Sequence, residues 1–376
     1  KLRVRSSLEP LQAGSEGTLI VSPPGRVRSP DSSIEMGRAV DTVELDRDQA
    51  KLVLVRVPDR PGIAAQLFRG IAAAGVNVDL ILQSLHFSPA KGSPTNDIAF
   101  TVSRSQVAQA AAVAQQIGQE LGCAAVIVDE AVAKVSIAGV GMMGRPGIAA
   151  QMFQVLAEAG INLQMISMSE IKVSCVVADE RAGEAALALG EAFQVIPHLH
   201  RMKMPPAGDP FPSQGGHPVR GAALDLKQSR LGIRKVPDRP GTAAHLFGRL
   251  AEAGIIVDTI IQSQRGYHNG IPSNDIAFTV PQDQARAAEA VCRQVAEELE
   301  AAGVEADHDI AKVSIVGAGM EIYPGVAAHF FAALANAGIN IEMIATSEIK
   351  VSCVVRQEQG IRALQAVHRA FELDRP

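Results

Sequence analysis

The sequence predicts an α+β fold in which one βαββαβ unit occurs four times. The first observation behind this prediction is that long stretches recur at a common offset: NDIAFTV begins at Asn96 and again at Asn274, and SEIKVSCVV begins at Ser169 and again at Ser347. The second is that each copy alternates strand-like and helix-like patterns in the same order. Self-similarity of this kind indicates a tandem duplication.

A weaker repeat lies within each half of the duplication. Pro61-Gly62 corresponds to Pro146-Gly147 in the first half, and Pro240-Gly241 corresponds to Pro324-Gly325 in the second. Two related repeats in each half give four repeats, arranged as two tandem pairs.

The first repeat shows the order of its elements most clearly. A strand of β-branched residues over 51–57 precedes a helix that carries Ile63, Leu67 and Ile71 at helical spacing and ends at Ala74-Gly75. The remaining elements are a strand over 76–82, a polar turn region over 84–94, a strand over 97–102, a helix over 105–121 and a short strand over 124–128. This order is the ferredoxin-like plan, an antiparallel four-stranded sheet with two helices on one face.

Linkers rich in proline and glycine set the predicted boundaries between segments. The predicted segments are a tail over 1–22, a linker over 23–39, an isolated strand over 40–45, repeat 1 over 51–130, repeat 2 over 131–200, a linker over 201–220, an isolated strand over 221–226, repeat 3 over 229–309 and repeat 4 over 310–376. The two isolated strands belong to no complete repeat.

Charge and hydropathy exclude two classes of partner. With 35 basic and 40 acidic residues, the formal net charge of −5 provides no basic surface for nucleic acid. No apolar run approaches the ~18 residues of a membrane span, and the N-terminus does not read as a signal peptide. We therefore expect a cytoplasmic protein that binds neither nucleic acid nor membrane.

The cysteines and histidines do not indicate a metal site. Cys123, Cys175, Cys292 and Cys353 form no C-x-x-C pair, which favours buried, reduced thiols over a disulfide or a metal centre. His198 and His200 would share one face of a strand, but no third ligand lies nearby in sequence.

The joint between the first strand and first helix is the strongest candidate for chemistry. In repeat 1 it reads Asp59-Arg60-Pro61-Gly62. The first-turn amides of the following helix have no partner within the helix and lie at the positive end of its dipole, so they can receive a carboxylate. The Asp59 carboxylate can receive an ammonium group. Together these groups suit a free amino acid.

The alternative is that the joint is ordinary helix punctuation and the aspartate merely caps its own helix. Four occurrences of the Pro-Gly joint weigh against that reading. Only Asp59 and Asp238 supply the aspartate, so repeats 1 and 3 are predicted to differ in role from repeats 2 and 4.

A dinucleotide-binding reading is rejected. Gly139 to Gly144 spells G-x-G-x-x-G between a strand and a helix, but the corresponding stretch that begins at Gly317 lacks the third glycine. The strand that follows leads into a hairpin, whereas a dinucleotide fold requires a second crossover helix.

These units resemble ACT domains, the amino-acid-sensing modules of biosynthetic enzymes. VPDRPGIAAQLFRGIAAAGVNVDLILQS, TNDIAFTV, AKVSIAGVGM and AGINLQMISMSEIKVSCVV resemble the regulatory half of aspartate kinase (aspartokinase), and LRVRSSLEPLQAGSEGTLI (2–20) resembles the end of its kinase domain. Two consecutive ACT pairs, in place of the usual single pair, are similar to the four-unit form of cyanobacterial enzymes. The resemblance also implies that the isolated strands over 40–45 and 221–226 join the second and fourth ACT units.

The resemblance implies a regulatory region of a longer protein. The Lys-Phe-Gly-Gly phosphate-binding motif of the family does not occur in this sequence. We therefore expect no catalytic residue and no enzyme activity in this chain alone, with ATP and magnesium bound only by a kinase domain of the parent aspartate kinase. No cofactor or metal is expected here.

The resemblance also implies effector sites between paired ACT units, which we expect between the two repeats of each half. From repeat 1 the predicted residues are Asp59, Gly62, Ile63, Ala64, Asp79 and Gln83, and from repeat 3 they are Asp238, Gly241, Thr242, Ala243, Asp258 and Gln262. From repeat 2 they are Ile148, Ala149, Asn162, Ser169 and Glu170, and from repeat 4 Val326, Ala327, Asn340, Ser347 and Glu348.

Each predicted residue type has a role in holding an amino acid. Helix-start amides would hold the carboxylate, and aspartate and glutamine oxygens would accept from the amine, while Asn162 donates and accepts across the interface. Glu170 is a candidate partner for a lysine ε-ammonium; the alternative is an exposed glutamate at a strand end.

The function that follows is feedback inhibition of aspartate kinase by threonine and/or lysine, with the chain forming a homodimer through its ACT sheets. Two alternatives stay open: an ACT sensor attached to another biosynthetic enzyme, and a structural dimerisation module with inactive sites.

Overall fold

The computed structural model describes residues 2–4, 18–20, 38–83, 94–142, 144–169, 171–199, 218–262, 266–317, 320, 323–347 and 349–373. The chain divides into two compact parts, Lys1–Arg38 and Ala39–Pro376. In the first part, β1 (Leu2–Val4) and β2 (Thr18–Ile20) form an antiparallel pair. Most of the two predicted linkers lies outside the described residues.

The second part contains four copies of the βαββαβ unit, which confirms the predicted fold class. Its strands are β3 (Thr42–Pro58), β4 (Val78–Gln83), β5 (Thr95–Val102), β6 (Ala125–Ala138), β7 (Met165–Met168), β8 (Lys172–Ala178), β9 (Pro197–Leu199), β10 (Gly221–Asp225), β11 (Gln228–Pro237), β12 (Thr259–Gln262), β13 (Gly266–His268), β14 (Ile271–Pro281), β15 (Gly303–Asp307), β16 (Ile310–Val316), β17 (Met343–Ser347) and β18 (Lys350–Arg356).

The helices of the second part are α1 (Ile63–Ala73), α2 (Val107–Leu121), α3 (Ile148–Glu158), α4 (Ala182–Phe193), α5 (Thr242–Glu252), α6 (Ala285–Glu298), α7 (Val326–Asn336) and α8 (Gly360–Ala370). In α1, Ile63, Leu67 and Ile71 lie on the buried face, as their spacing predicts. None of the helices in the described ranges is long and apolar enough to cross a membrane.

Strand continuity differs from the sequence expectation in the first half. The predicted strands over 40–45 and 51–57 are one strand, β3, with register shifts between Asp46 and Lys51. The last strand of repeat 1 and the first of repeat 2 are likewise one strand, β6. In the second half the equivalent strands are separate, as β10 and β11 and as β15 and β16. Hydrophobic runs show where strands lie but not whether a short polar stretch between two of them interrupts the pairing.

The strands form one continuous sheet. Its main order is β10-β16-β18-β17-β4-β5-β3-β6-β8-β7-β12-β14-β11-β15, so the repeats follow one another as 4, 1, 2 and 3. The N-terminal end of β3 pairs with β6 where β6 serves repeat 2, and β10 pairs with β16 of repeat 4. Each isolated strand therefore lies beside the first strand of repeat 2 or 4.

Three hydrophobic clusters hold this arrangement together. One joins the helices and strands of repeats 1 and 4, and a second joins those of repeats 2 and 3. On β3, Leu52 and Leu54 belong to the first cluster, whereas Val53 points to the opposite face and belongs to a third. That third cluster takes residues from all four repeats. This indicates that the helix-free face formed by repeats 1 and 4 packs against the helix-free face formed by repeats 2 and 3.

The four cysteines carry free thiols. Cys175 and Cys353 are fully buried on β8 and β18, and burial raises the pKa of both thiols well above the usual value. Burial also raises the pKa of the Cys292 thiol to about 12. These groups belong to the hydrophobic clusters of the repeats.

The first glycine of the G-x-G-x-x-G stretch has a packing role. A Cβ on Gly139 would collide with the carbonyl oxygen of Ala39 and lie 2.9 Å from the Asp41 nitrogen. The equivalent Gly317 meets the backbone of Pro218 and Val219 in the same way. Both glycines therefore permit close approach of the segment that leads into an isolated strand, the N-terminal part of β3 for Gly139 and β10 for Gly317.

We expect Gly139→Ala and Gly317→Ala each to lower the free energy of unfolding by about 1–3 kcal/mol, because the new methyl group must displace backbone. Urea denaturation followed by circular dichroism measures the change.

Gly248→Ala is the matched control for these variants. Gly248 lies within α5 with no atom within 4 Å of an added Cβ, so alanine there should raise stability by roughly 0.5–1 kcal/mol. An unchanged unfolding midpoint for both Gly139→Ala and Gly317→Ala would contradict the packing role.

Candidate functional site

Each repeat begins its first helix in the same way. Gly62, Gly147, Gly241 and Gly325 precede α1, α3, α5 and α7 in the left-handed conformation, with φ of 96°, 96°, 95° and 95°. None of these helices has a capping hydrogen bond from a side chain. Since each of these N-cap residues is a glycine, no side chain at that position caps the helix, and the helix start lies at the positive end of the dipole.

A bulge near the end of β3 lies just before Asp59 and sets its position at the joint. The register of β3 shifts between Leu54 and Val57, and Arg56 has a φ of 54°. Asp97 accepts a hydrogen bond of 2.8 Å from the Arg56 amide; in repeat 3, Asp275 accepts one of 2.7 Å from Lys235. Burial raises the pKa of both carboxyl groups, and this hydrogen bond partly opposes the increase.

The two walls of each site come from different halves of the chain. Asn340 Nδ2 donates to Asp59 Oδ1 over 2.8 Å, and Asn162 Nδ2 donates to Asp238 Oδ1 over 2.8 Å. Repeat 1 therefore faces repeat 4, and repeat 2 faces repeat 3. The expectation of sites between the two repeats of one half is wrong.

Strand continuity explains this crossed arrangement. Repeats 1 and 2 share β3 and β6, so their second strands, β4 and β7, lie on opposite sides of the shared region. These strands pair instead with the second strands of the other half: β4 with β17, and β7 with β12. The same contacts bring α1 against α7 and α3 against α5.

Two equivalent pockets lie at the aspartate-containing joints. Pocket A has an empty volume of ≈ 320 Å³ and is lined by the predicted residues Asp59, Gly62, Ile63, Ala64, Gln83 and Asn340. Pocket B has an empty volume of ≈ 330 Å³ and is lined by the predicted residues Asn162, Asp238, Gly241, Thr242, Ala243 and Gln262.

Among the lining residues that sequence reasoning missed, one asparagine in each pocket has an acceptor atom that is free within the described part of the chain. Asn96 lines pocket A and Asn274 lines pocket B. The Oδ1 atom of each is buried and has no hydrogen-bond partner among the described residues. Both begin the NDIAFTV stretch, whose recurrence identified the duplication; a polar residue at the same place in both copies was the available signal.

A glutamine occupies the same place in both pockets, and in pocket B its side-chain oxygen is a further hydrogen-bond acceptor. Gln83 Nε2 donates to Ile341 O over 2.7 Å, and Gln262 Nε2 donates to Leu163 O over 3.1 Å. These bonds cross the interface and orient each amide. In pocket B, Gln262 Oε1 is buried with no partner among the described residues. Such oxygens favour a donor group, such as an ammonium.

Asp79 and Asp258 do not lie in pockets A and B. Asp79 forms an ion pair with Lys134 of β6, and Asp258 forms one with Lys312 of β16. Each aspartate is thereby tied to a lysine of another repeat. The prediction that they share a pocket with Asp59 and Asp238 is wrong. Asp79, at the start of β4, faces the Pro-Gly joint of repeat 4, and Asp258, just before β12, faces the Pro-Gly joint of repeat 2.

The Pro-Gly joints of repeats 4 and 2 form two further pockets. Pocket C, between repeats 1 and 4, is lined by the predicted residues Asp79, Val326, Ala327 and Ser347. Pocket D, between repeats 2 and 3, is lined by the predicted residues Ile148, Ala149, Ser169 and Asp258. Glu170 and Glu348 lie outside the described residues, so the role suggested for Glu170 stays a prediction.

Comparison with known proteins identifies the family. One family model for the ACT domain matches residues 51–122 and 229–296, and a second ACT-domain model matches residues 135–193 and 313–371. The chain belongs to the ACT-domain family. Its four matches confirm the recognition of two tandem ACT pairs.

Relatives of this ACT protein are aspartate kinases. The crystal structure of aspartate kinase from Synechocystis is 50% identical, covers 96% of this chain and 60% of that protein, and has a TM-score of 0.84. An aspartokinase of Thermus thermophilus is 47% identical over 164 residues, 42% of this chain and 38% of the relative. An aspartate kinase of Pseudomonas fluorescens is 44% identical over 158 residues, 42% of this chain and 37% of the relative.

These comparisons correct one expectation. A chain that aligns along 96% of its length with an aspartate kinase contradicts the prediction that it is not an enzyme. The chain nevertheless spans less than two thirds of each of these relatives, so what the whole protein does is a matter for proposal.

The crossed arrangement predicts which residues are energetically coupled. A double-mutant cycle of Asp59→Ala with Asn340→Ala should give an interaction energy of about 0.5–3 kcal/mol in urea denaturation, because the two side chains share a hydrogen bond.

The control cycle pairs Asp59→Ala with Asn162→Ala, which belong to different pockets. Their effects should add within about 0.5 kcal/mol. Coupling in the control cycle, with none between Asp59 and Asn340, would show that the repeats pair within each half after all.

Proposed function

We propose that this protein is an aspartate kinase whose ACT region binds the end-product amino acids threonine and/or lysine, and that binding inhibits the first step of the aspartate-family pathway. Pockets A and B are the proposed effector sites. The observation that carries this proposal is the combination, in each pocket, of a helix start, an aspartate held from across the interface, and a buried amide oxygen without a partner among the described residues.

The two ends of a free amino acid find complementary groups in this arrangement. The α-carboxylate is placed at the first-turn amides of α1 or α5, where the helix dipole favours a negative charge. The α-ammonium is placed at Asp59 and Asn96 in pocket A, or at Asp238 and Asn274 in pocket B. Because a buried, unpaired oxygen costs free energy, a donor supplied by the ligand stabilises the liganded protein.

The walls of the two pockets differ at one helix-start position. Ile63 lines pocket A where Thr242 lines pocket B, and Thr242 Oγ1 donates to Pro237 O over 2.7 Å. We propose that both pockets bind the amino-acid backbone alike and differ in their contacts with its side chain. ATP and magnesium are proposed to bind outside the ACT units; the described residues contain no group of three or more His, Cys, Asp or Glu that could hold a metal ion.

Two other functions are separable by experiment. An ACT sensor of a different enzyme would bind amino acids without affecting aspartate phosphorylation, and a structural module would bind none. Measuring aspartate kinase activity of the full-length protein with and without threonine and lysine distinguishes the first from our proposal. Calorimetric titration with both amino acids distinguishes the second.

The effector role of the aspartates predicts a specific loss. Asp59→Ala or Asp238→Ala removes a charged hydrogen bond worth roughly 1.5–3 kcal/mol, so affinity at that pocket should fall on the order of 10- to 150-fold. Melting curves with and without threonine and lysine report the lost stabilisation for each variant separately.

Asp283→Ala is the control, because Asp283 is exposed and lines none of pockets A to D. It should keep the full effector-induced rise in melting temperature. If Asp59→Ala and Asp238→Ala keep it as well, the aspartates do not bind effector.

We also propose a homodimer. Among the described strands, β10 and β15 end the main path of the sheet, so each has an edge that a second copy could extend. Sedimentation velocity should show a dimer at micromolar concentration. A monomer at every concentration, with and without effector, would contradict this proposal.

A further inference from the structure

Four charged side chains join repeats 3 and 4. Arg230 on β11 lies 3.0 Å from Glu342, just before β17, and 3.3 Å from Asp307 on β15. Arg356 on β18 lies 2.9 Å from Asp307 and 3.6 Å from Glu342. Each arginine therefore contacts both carboxylates. We call these four residues the charge cluster.

The equivalent place in the first half carries fewer charges. The residues that correspond to Arg230, Glu342, Asp307 and Arg356 are Lys51, Gln164, Asp129 and Ala178. Lys51 forms an ion pair of 3.7 Å with Asp129 and donates a hydrogen bond to Gln164. Both halves thus join their two repeats at this place, but only the second half has an acid where the first has the amide of Gln164.

Glu342 ends the segment that forms one wall of pocket A. In that segment, Asn340 Nδ2 donates to Asp59 Oδ1 over 2.8 Å. Ile341 O accepts a hydrogen bond of 2.7 Å from Gln83 Nε2. Since Glu342 follows directly, the contacts that hold its side chain also fix the position of this wall. The charge cluster therefore connects pocket A, between repeats 1 and 4, with repeat 3.

Glu342 is an acid in a largely buried position. Its side chain and that of Arg230 are each 15% exposed. Burial raises the pKa of the Glu342 carboxyl, and repulsion from Asp307 and Asp59 adds to the increase. The guanidinium groups of Arg230 and Arg356 oppose it, without cancelling it. The carboxyl therefore takes up a proton at a higher pH than an ordinary glutamate.

Protonation of Glu342 removes the negative charge that faces both arginines. The ion pair with Arg230 is then lost, and an arginine that is largely buried keeps only Asp307 as its partner in the cluster. His308 follows Asp307 in the chain and is a further titratable group nearby; its Nδ1 lies 3.1 Å from Ser229 Oγ. It serves below as a control.

We propose that the charge cluster is a pH-sensitive switch for the wall of pocket A. With Glu342 ionised, the cluster holds the segment that carries Asn340 against repeat 1. With Glu342 protonated, that segment is held less firmly and the hydrogen bond from Asn340 to Asp59 weakens. Pocket B lacks this switch, because Gln164 does not titrate. The switch does not depend on what pocket A binds; only its effect on ligand affinity rests on the proposed function.

The first test measures the hydrogen bond of pocket A at two pH values without any ligand. The double-mutant cycle of Asp59→Ala with Asn340→Ala is repeated at about pH 8 and about pH 5.5, where a glutamate with an ordinary pKa of about 4.3 stays mostly ionised. We expect the coupling, expressed as a ratio of unfolding constants, to fall by at least about threefold at the lower pH.

The cycle of Asp238→Ala with Asn162→Ala in pocket B is the matched control. It contains the same two residue types, so titration of the aspartate itself would appear in both cycles. We expect the fall to be confined to the pocket A cycle. An equal fall in both cycles, or no fall in the pocket A cycle, would overturn the proposal.

Variants that copy the first half test the assignment to Glu342. Glu342→Gln introduces the residue of repeat 2 and should make the pocket A coupling equal at both pH values. The triple variant Arg230→Lys, Glu342→Gln, Arg356→Ala copies the first-half arrangement and should do the same, which covers a folding defect of the single variant. His308→Gln should keep the pH dependence. If the pH dependence survives the triple variant, or disappears with His308→Gln, a group other than Glu342 is responsible.

Calorimetric titrations with threonine and with lysine measure the effect on ligand binding. The affinity that Asp59→Ala weakens should itself fall by at least about threefold between about pH 8 and about pH 5.5, and Glu342→Gln should remove this fall. If neither amino acid binds at either pH, the proposed effector function fails, while the cycles above still decide the switch. Binding at pocket A that is equally tight at both pH values would show that the switch does not act on the ligand.

Discussion

The pairing of second-strand edges, β4 with β17 and β7 with β12, is the constraint on which the rest of the structure depends. An unpaired strand edge exposes N–H and C=O groups that must find partners when buried. Because β3 and β6 run unbroken through repeats 1 and 2, those repeats cannot present their second strands to each other. The second half of the duplication supplies the missing edges. All four pockets lie at the two interfaces that result.

Each interface then contains two unlike pockets. A Pro-Gly joint approaches from either side, but only repeats 1 and 3 carry the aspartate that meets an asparagine of the opposite repeat. The other two joints face the start of a strand whose aspartate is already paired with a lysine. Lys134 belongs to repeat 2 and Lys312 to repeat 4, so each ion pair connects one interface with a repeat that lies outside that interface. A change at one pocket therefore has a direct physical route to the packed faces.

Several buried polar atoms in the pockets have no partner among the described residues, as have some outside the pockets, such as Gln49 Oε1 and Thr279 Oγ1. Asn274 Oδ1 and Gln262 Oε1 in pocket B, and Gln228 Oε1 in pocket D, lie among hydrophobic residues without partners in the described part of the chain. An unsatisfied buried polar atom costs about 1–3 kcal/mol, so the unliganded protein carries a cost that a donor group can relieve. Hydrogen bonds from the amide nitrogens of both glutamines hold the oxygens in place before any ligand arrives.

The sequence by itself determined the four repeats, the element order, the Pro-Gly joint and the family, because these depend on residues close together in the chain or on stretches repeated in it. It also identified six lining residues in each of pockets A and B, such as Asp59, Gln83 and Asn340, but assigned them to the wrong partners. Only the tertiary structure decided that Asp59 meets Asn340 and not Asn162, that Asp79 binds Lys134, and that Asn96 and Asn274 line pockets. The physical reason is that near-identical repeats have near-identical edges. Local patterns fit a pairing within one half as well as a pairing across halves, and strand continuity over β3 and β6 decides between them.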